Sequence, residues 1–143
     1  MEALGRTMNP ILLADNTYIN LRDGSGVTFE CYLAAAAGDT YTLTEATTAA
    51  GGGAQVLTTI TRYYTSTGDG TDTWTKRTQA AASTVVTAAA ATQNGMIVEV
   101  DAVELSDGFD YVKLASTGAG RVTAVLRDLT VQRAPANLPA LGV

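Results

Sequence analysis

The chain lacks histidine altogether, has one cysteine, one tryptophan and three prolines among its 143 residues, and is only 16% charged. Each shortage closes off a class of function. Histidine is the side chain whose ordinary pKa lies nearest neutrality, so its absence removes the commonest general base and the commonest metal ligand together. One cysteine makes no internal disulfide, and Cys31 has no histidine to activate it as a nucleophile. Alternating with Val27, Phe29 and Leu33, it reads as a small buried hydrophobe. Nine basic residues stand against fourteen acidic ones, a net charge of -5, and only Lys76 and Arg77 are adjacent. Nothing in that distribution neutralises a phosphate backbone, which argues against nucleic acid as a direct partner. Long apolar runs are missing too. Ile11 to Ala14, between Pro10 and Asp15, is too short for a signal segment, and no other stretch could cross a bilayer. The expectation is a soluble, unsecreted protein with no membrane partner.

What is abundant is small. Twenty-four alanines and twenty-three threonines make up about a third of the chain. Apolar residues reach 46%, yet much of that is alanine, so the core rests on a modest set of Val, Leu, Ile, Tyr, Phe and Trp. The length fits one domain able to bury roughly two thirds of its unfolded surface. So thin a core favours an assembled protein, because partner binding stabilises only the folded state.

Period-two patterning dominates from residue 18 onward. Val27, Phe29, Cys31 and Leu33 share one face and Thr28, Glu30 and Tyr32 the other, which makes 27–33 the clearest strand. Asp39 to Glu45 alternates again after a turn at Gly38 and Asp39, with Tyr41 and Leu43 inward and threonines outward. Residues 46–54, almost all Ala, Thr and Gly, have little to bury and read as a mobile loop. Gln55 to Thr65 reads as one long strand, and Thr73 to Thr78 returns from a turn cluster at 67–72, so 55–78 is expected to be a hairpin. Between Ala80 and Gln93 helix and strand propensities conflict, and the segment is resolved as a short strand around Val85 flanked by loops. Met96 to Asp101 is a strand. Asp101 to Gly108 is one helical turn or a tight corner. Phe109 to Ala115 is a strand with neither face cleanly apolar, and Arg121 to Gln132 is the last long strand.

About eight strands separated by Gly and Asn turns predict an all-β fold, an antiparallel eight-stranded β-sandwich of jelly-roll type. An immunoglobulin-like sandwich is the near alternative, although the usual pair of cysteines around a tryptophan is missing. The expected organisation is an N-terminal arm at 1–16, a single sandwich domain at 17–132 and an extended C-terminal arm at 133–143.

Candidates for chemistry are few. Asp101, Glu104, Asp107 and Asp110 recur every third residue around a turn, a spacing at which oxygen ligands could converge on calcium. The EF-hand pattern is absent, and acidic residues at corners usually solvate or cap. Asp69 and Asp72 flank Gly70 as turn residues. Gly51 to Gly53 lacks the Gly-Lys-Ser/Thr of a phosphate loop, and Gly118-Ala-Gly120 opens a strand instead of a helix. No nucleophile has a matched base, so the chain is expected to be no enzyme and to carry no cofactor or metal.

Candidates for binding are more numerous. Trp74, Tyr63 and Tyr64 lie on the two arms of the expected hairpin, and adjacent tyrosines on a strand face opposite ways, which leaves one for a neighbour or a second sheet. The tail from Arg133 carries two of the three prolines and the apolar anchors Leu138, Leu141 and Val143, which suits docking on another subunit. Met8, Ile11, Leu12 and Leu13 give the N-terminal arm the same character. The candidate partner-binding residues are therefore Ile11, Leu12, Leu13, Tyr64, Trp74, Arg133, Leu138 and Leu141.

Three stretches carry a family resemblance. They are Tyr63-Tyr-Thr with Gly68-Asp-Gly-Thr and Trp74-Thr-Lys-Arg-Thr-Gln-Ala-Ala; Ile97-Val-Glu-Val-Asp with Leu105-Ser-Asp-Gly-Phe-Asp-Tyr-Val; and Asp128-Leu-Thr-Val-Gln-Arg-Ala-Pro-Ala-Asn-Leu-Pro-Ala. Over about residues 10–140 the chain resembles the small minor capsid proteins of tailed bacteriophages. The resemblance implies a jelly-roll sandwich made in the host cytoplasm that decorates the outer surface of the head. There it would bridge major capsid protein subunits as a cement, often as a homotrimer. The competing class is a carbohydrate-binding module or adhesin of a phage or cell surface, with Trp74 and the nearby tyrosines as its platform.

Overall fold

Alternation of apolar and small polar residues builds an all-β protein of two antiparallel sheets. The computed structural model describes residues 3–142, so Val143, one of the apolar anchors expected in the tail, lies outside the described residues. Among the described residues eleven strands form: β1 (Met8–Ile11), β2 (Ile19–Asn20), β3 (Gly24–Tyr32), β4 (Thr40–Ala46), β5 (Gln55–Val56), β6 (Ile60–Ser66), β7 (Thr75–Ala82), β8 (Thr84–Val86), β9 (Gly95–Asp101), β10 (Tyr111–Ser116) and β11 (Arg121–Leu129). One sheet has the order β1-β11-β3-β9-β6-β7, and the other runs β2-β10-β4-β5 with β8 also paired to β4. Among the described residues no helix is long and apolar enough to cross a membrane.

The core lies between the sheets. Phe29 pairs in register with Ala124 on one side and Val98 on the other, and all three are fully buried. Val27 and Cys31 continue that inner face along β3, Met96 and Val100 along β9, and Val122 and Leu126 along β11. The second sheet answers with Tyr41 and Leu43 from β4, Val85 from β8, and Val112 and Leu114 from β10. The ambiguous strand β10 is thus oriented by its aliphatic pair. Lys113 faces outward, where its ammonium lies 4.6 Å from the centre of the Tyr18 ring and donates to Asn16 Oδ1 at 2.9 Å. Thr40, Thr42 and Thr44 alternate with the buried residues of β4 and are only half-buried, as expected for the outward face.

The strand count exceeds eight because short pieces pair over long sequence separations. The stretch expected as one strand from Gln55 to Thr65 divides. Gln55 and Val56 pair with β4, the Leu57 amide donates to the Leu43 carbonyl at 3.1 Å, and the chain then crosses to the other sheet as β6. Leu57 is buried at the crossing. The hairpin is therefore β6–β7. Its second arm runs on through Ala80 to Ala82, the alanines expected in a loop, with a register irregularity opposite Ile60 to Arg62. Gln79 holds that irregularity by donating from Nε2 to the carbonyls of Ile60 at 3.1 Å and Thr84 at 2.9 Å.

Among the described residues both terminal segments are tied to the sandwich. Residues 8–11, expected in a free arm, pair with β11 as an edge strand. The expected C-terminal arm folds back on its own subunit. The Arg133 amide donates to the Gly5 carbonyl at 2.8 Å, Asn9 Nδ2 to the Pro139 carbonyl at 3.3 Å, and the Asn20 amide to the Leu141 carbonyl at 2.7 Å.

Candidate functional site

Period-two alternation that drives Cys31, Met96 and Val122 into the core turns their neighbours outward on the six-stranded sheet. Thr123, Glu30, Ile97 and Tyr64 stand in one register row across β11, β3, β9 and β6. Arg121, Tyr32 and Gly95 form the adjacent row. Trp74, just before β7, closes one end. Together these residues line an open groove of about 720 Å³ on the outer face. That volume lies within the range of small-ligand sites.

Two glycines shape one side of it. A Cβ on Gly95 would lie 2.9 Å from the Cα of Gly68, and a Cβ on Gly68 would lie 2.9 Å from the Tyr32 ring. The turn at 67–72 can therefore approach β9 closely, and Gly68, at φ +79°, adopts a conformation that favours glycine. Asp69 and Asp72 hold that turn. The Thr67 hydroxyl lies 2.6 Å from a carboxylate oxygen of each, and Thr71 donates to Asp69 through hydroxyl and amide. Hydrogen bonds from the Thr67 and Thr71 side chains hold the Asp69 carboxyl down at about 2. The pair serves the turn, as its position around Gly70 suggested.

Trp74 is 50% exposed and Tyr32 42%, and Tyr64, also lining the groove, is half-buried. Tyr63 faces the other way and packs against the core, the opposite orientation expected of adjacent residues. Glu30, Glu99 and Arg121 complete the rim. None of these three has a hydrogen-bond or ion-pair partner among the described residues, whereas most other acids are engaged.

The remaining candidates scatter. Ile11 pairs with Ala124 and packs against the core. Leu12 and Leu13, in the loop that follows, are 73% and 81% exposed. Arg133 Nη2 lies 3.9 Å from Asp23 Oδ2, and Leu138 lies half-buried against Gly5. Leu141 is a core residue of its own subunit, so it is not free to dock on another. Three of the four carboxylates spaced every third residue are engaged with different partners: Asp101 pairs with Arg127, Glu104 accepts from the Asp101 amide at 2.8 Å, and Asp110 pairs with Arg22 at 2.7 Å. Their roles are ion pairing and capping of the short 3-10 turn at Ala102–Glu104, not convergence on one point.

The groove joins two expected residues, Tyr64 and Trp74, to four that were not singled out: Glu30, Tyr32, Glu99 and Arg121. A signal for Glu30 and Tyr32 was present, since both occupy the outward face of the clearest strand. Which strands flank that face was not readable locally. No family model matches the chain, and neither a curated protein nor a solved structure matches it.

Proposed function

We propose that the chain is a structural virion protein that decorates the outer surface of a tailed-bacteriophage head, bridging major capsid protein subunits as a homotrimer. The observation that carries the reading is the Leu12–Leu13 pair, 73% and 81% exposed, at the end of a sheet-edge strand whose sheet neighbour among the described residues is β11. Adjacent exposed leucines beside an open strand edge cost solubility in a monomer and suit a partner surface. Met8 and Leu4, also exposed, extend the apolar margin. The shell is the partner because the chain resembles minor capsid proteins.

The jelly-roll reading is supported by strand order. With β5, β6 and β7 set aside as an excursion, eight strands remain, in the orders β1-β11-β3-β9 and β2-β10-β4-β8. Successive strands β1 to β4 alternate between the two sheets, and β8 to β11 alternate back, each pairing antiparallel with a strand of the first set. That winding supports the double Greek key of a jelly roll, an architecture used by viral capsid and lectin domains.

Heads lacking the chain, mixed with purified protein and sedimented, test the reading. Wild-type protein is expected to co-sediment and raise the temperature at which heads rupture, and L12D/L13D to stay in the supernatant. Light scattering on the free protein should give three times the 14.8 kDa chain mass; co-sedimentation of the double variant at wild-type level would rule out this docking edge.

A further inference from the structure

The groove on the outer face of the six-stranded sheet has a composition that the decoration role leaves unused. The acidic side chains elsewhere are mostly engaged within the fold: Asp15, Asp23, Asp39, Glu45, Asp69, Asp72, Asp101, Glu104, Asp110 and Asp128 each accept a hydrogen bond or ion pair. Among the described residues three acids have no such partner, Glu30, Glu99 and Asp107, and two of the three line this groove. Glu30 faces Ile97 and Glu99 faces Thr28 in register, so the two carboxylates are diagonal neighbours on one face. Arg121 stands on the same side, also without a partner. The half-exposed ring of Trp74 offers a flat apolar surface beside them.

We propose that this groove binds a neutral oligosaccharide. Free carboxylates accept hydrogen bonds, free guanidinium and indole N–H groups donate them, and a sugar hydroxyl does both. An anion would meet Glu30 and Glu99, and a cation would meet Arg121, so an uncharged polyhydroxyl ligand satisfies the mixed rim best. The aromatic surface supplies a plane against which the apolar face of a pyranose ring packs. The register row from β11 to β6 spans three strand spacings, about 14 Å, and a groove of about 720 Å³ holds a short saccharide.

The chain contains one tryptophan, so its fluorescence reports this groove alone. The full chain is titrated with maltohexaose, cellohexaose, xylohexaose, laminarihexaose and mannohexaose, with choline chloride and inorganic phosphate as charged comparators. At least one hexaose is expected to shift Trp74 emission saturably while neither charged comparator does. By calorimetry, W74A and the double variant E30Q/E99Q each weaken that sugar at least tenfold, and L12D leaves it unchanged. Circular dichroism and melting of each variant separate lost binding from lost fold, and R121Q gives a second, independent reduction. The proposal is overturned if no hexaose gives a saturable shift, if choline or phosphate binds in its place, or if a sugar binds W74A and E30Q/E99Q as tightly as the wild type. Because L12D leaves this surface intact, failure here and failure of head decoration are distinguishable.

Discussion

Asp39 Oδ2 accepts the backbone N–H of Gly120 at 3.2 Å, joining residues 81 positions apart. The same carboxylate takes the Ser116 hydroxyl, the Thr117 hydroxyl at 3.1 Å and the Thr40 amide at 2.7 Å. It thereby fixes the turn between β10 and β11 against the start of β4. Glu45 works alike at the other end of β4, accepting from Gln55 Nε2 at 2.7 Å, from the Ser106 hydroxyl at 2.6 Å and from the Ser106 amide at 2.9 Å. Both residues are buried, and both replace long-range apolar contact that a chain rich in alanine cannot supply.

These two carboxyls make stability acid-sensitive. Burial opposes ionisation of each, but the hydrogen bonds outweigh it: Ser116, Thr40, Thr117 and Gly120 hold Asp39 below its ordinary 3.8, and Gln55 and Ser106 hold Glu45 below 4.5. A folded-state pKa below the unfolded one contributes stability above the unfolded value, lost as pH falls through the folded one. Denaturant midpoints are expected to hold steady near neutrality and to drop below about pH 4.5. D39N and E45Q should each cost about 1–3 kcal/mol at pH 7 by leaving buried donors poorly matched, and together they should flatten the acid limb. A wild-type midpoint unchanged at pH 3 would contradict this.

The C-terminal segment belongs to the core. Leu141 is 3% exposed and its carbonyl takes the Asn20 amide, so L141A is expected to destabilise by about 2–5 kcal/mol, as buried Leu→Ala changes do. L138A, at a half-buried site, should cost clearly less. Thermal melting of the two variants checks the order, and equal melting points would remove Leu141 from the account.

Close approach at the groove makes Gly95 intolerant of even a methyl group. G95A puts a Cβ 2.9 Å from the Gly68 Cα, a backbone atom, so the turn at 67–72 must retreat. A loss of about 1–3 kcal/mol is expected from such overpacking, along with a shift in Trp74 emission as that end of the groove opens. Unchanged stability and emission would show that the turn at 67–72 does not touch β9.

Cys31 offers a probe of global unfolding. It is buried, and burial pushes its thiol far above the usual range. Thiol reagents are expected to label it only at the rate of unfolding, in step with loss of circular dichroism. Fast labelling under native conditions would mean that β3 and its neighbours open locally.

The sequence made β3, β4, β8 and β9 legible because period-two alternation is a local signal. It made the crossing between β5 and β6 invisible, since β-forming residues run without a Gly or Pro break from Gln55 to Thr65. The one informative residue is Leu57, whose burial at the crossing depends on β4. The N-terminal edge was equally hidden. Met8 to Ile11 looks like a sticky arm until β11, more than a hundred residues later, supplies its partner. The groove followed the same rule: Trp74 and Tyr64 stood out by type, while Glu30, Glu99 and Arg121 gained meaning only when β3, β9 and β11 became neighbours.

Electron cryomicroscopy of phage heads assembled with and without the chain tests the central claim most directly. Extra density of the sandwich's size is expected at fixed lattice positions on the outer surface, spanning adjacent major capsid subunits with the Leu12–Leu13 edge against the shell. Identical maps, or density confined to the head interior, would contradict it.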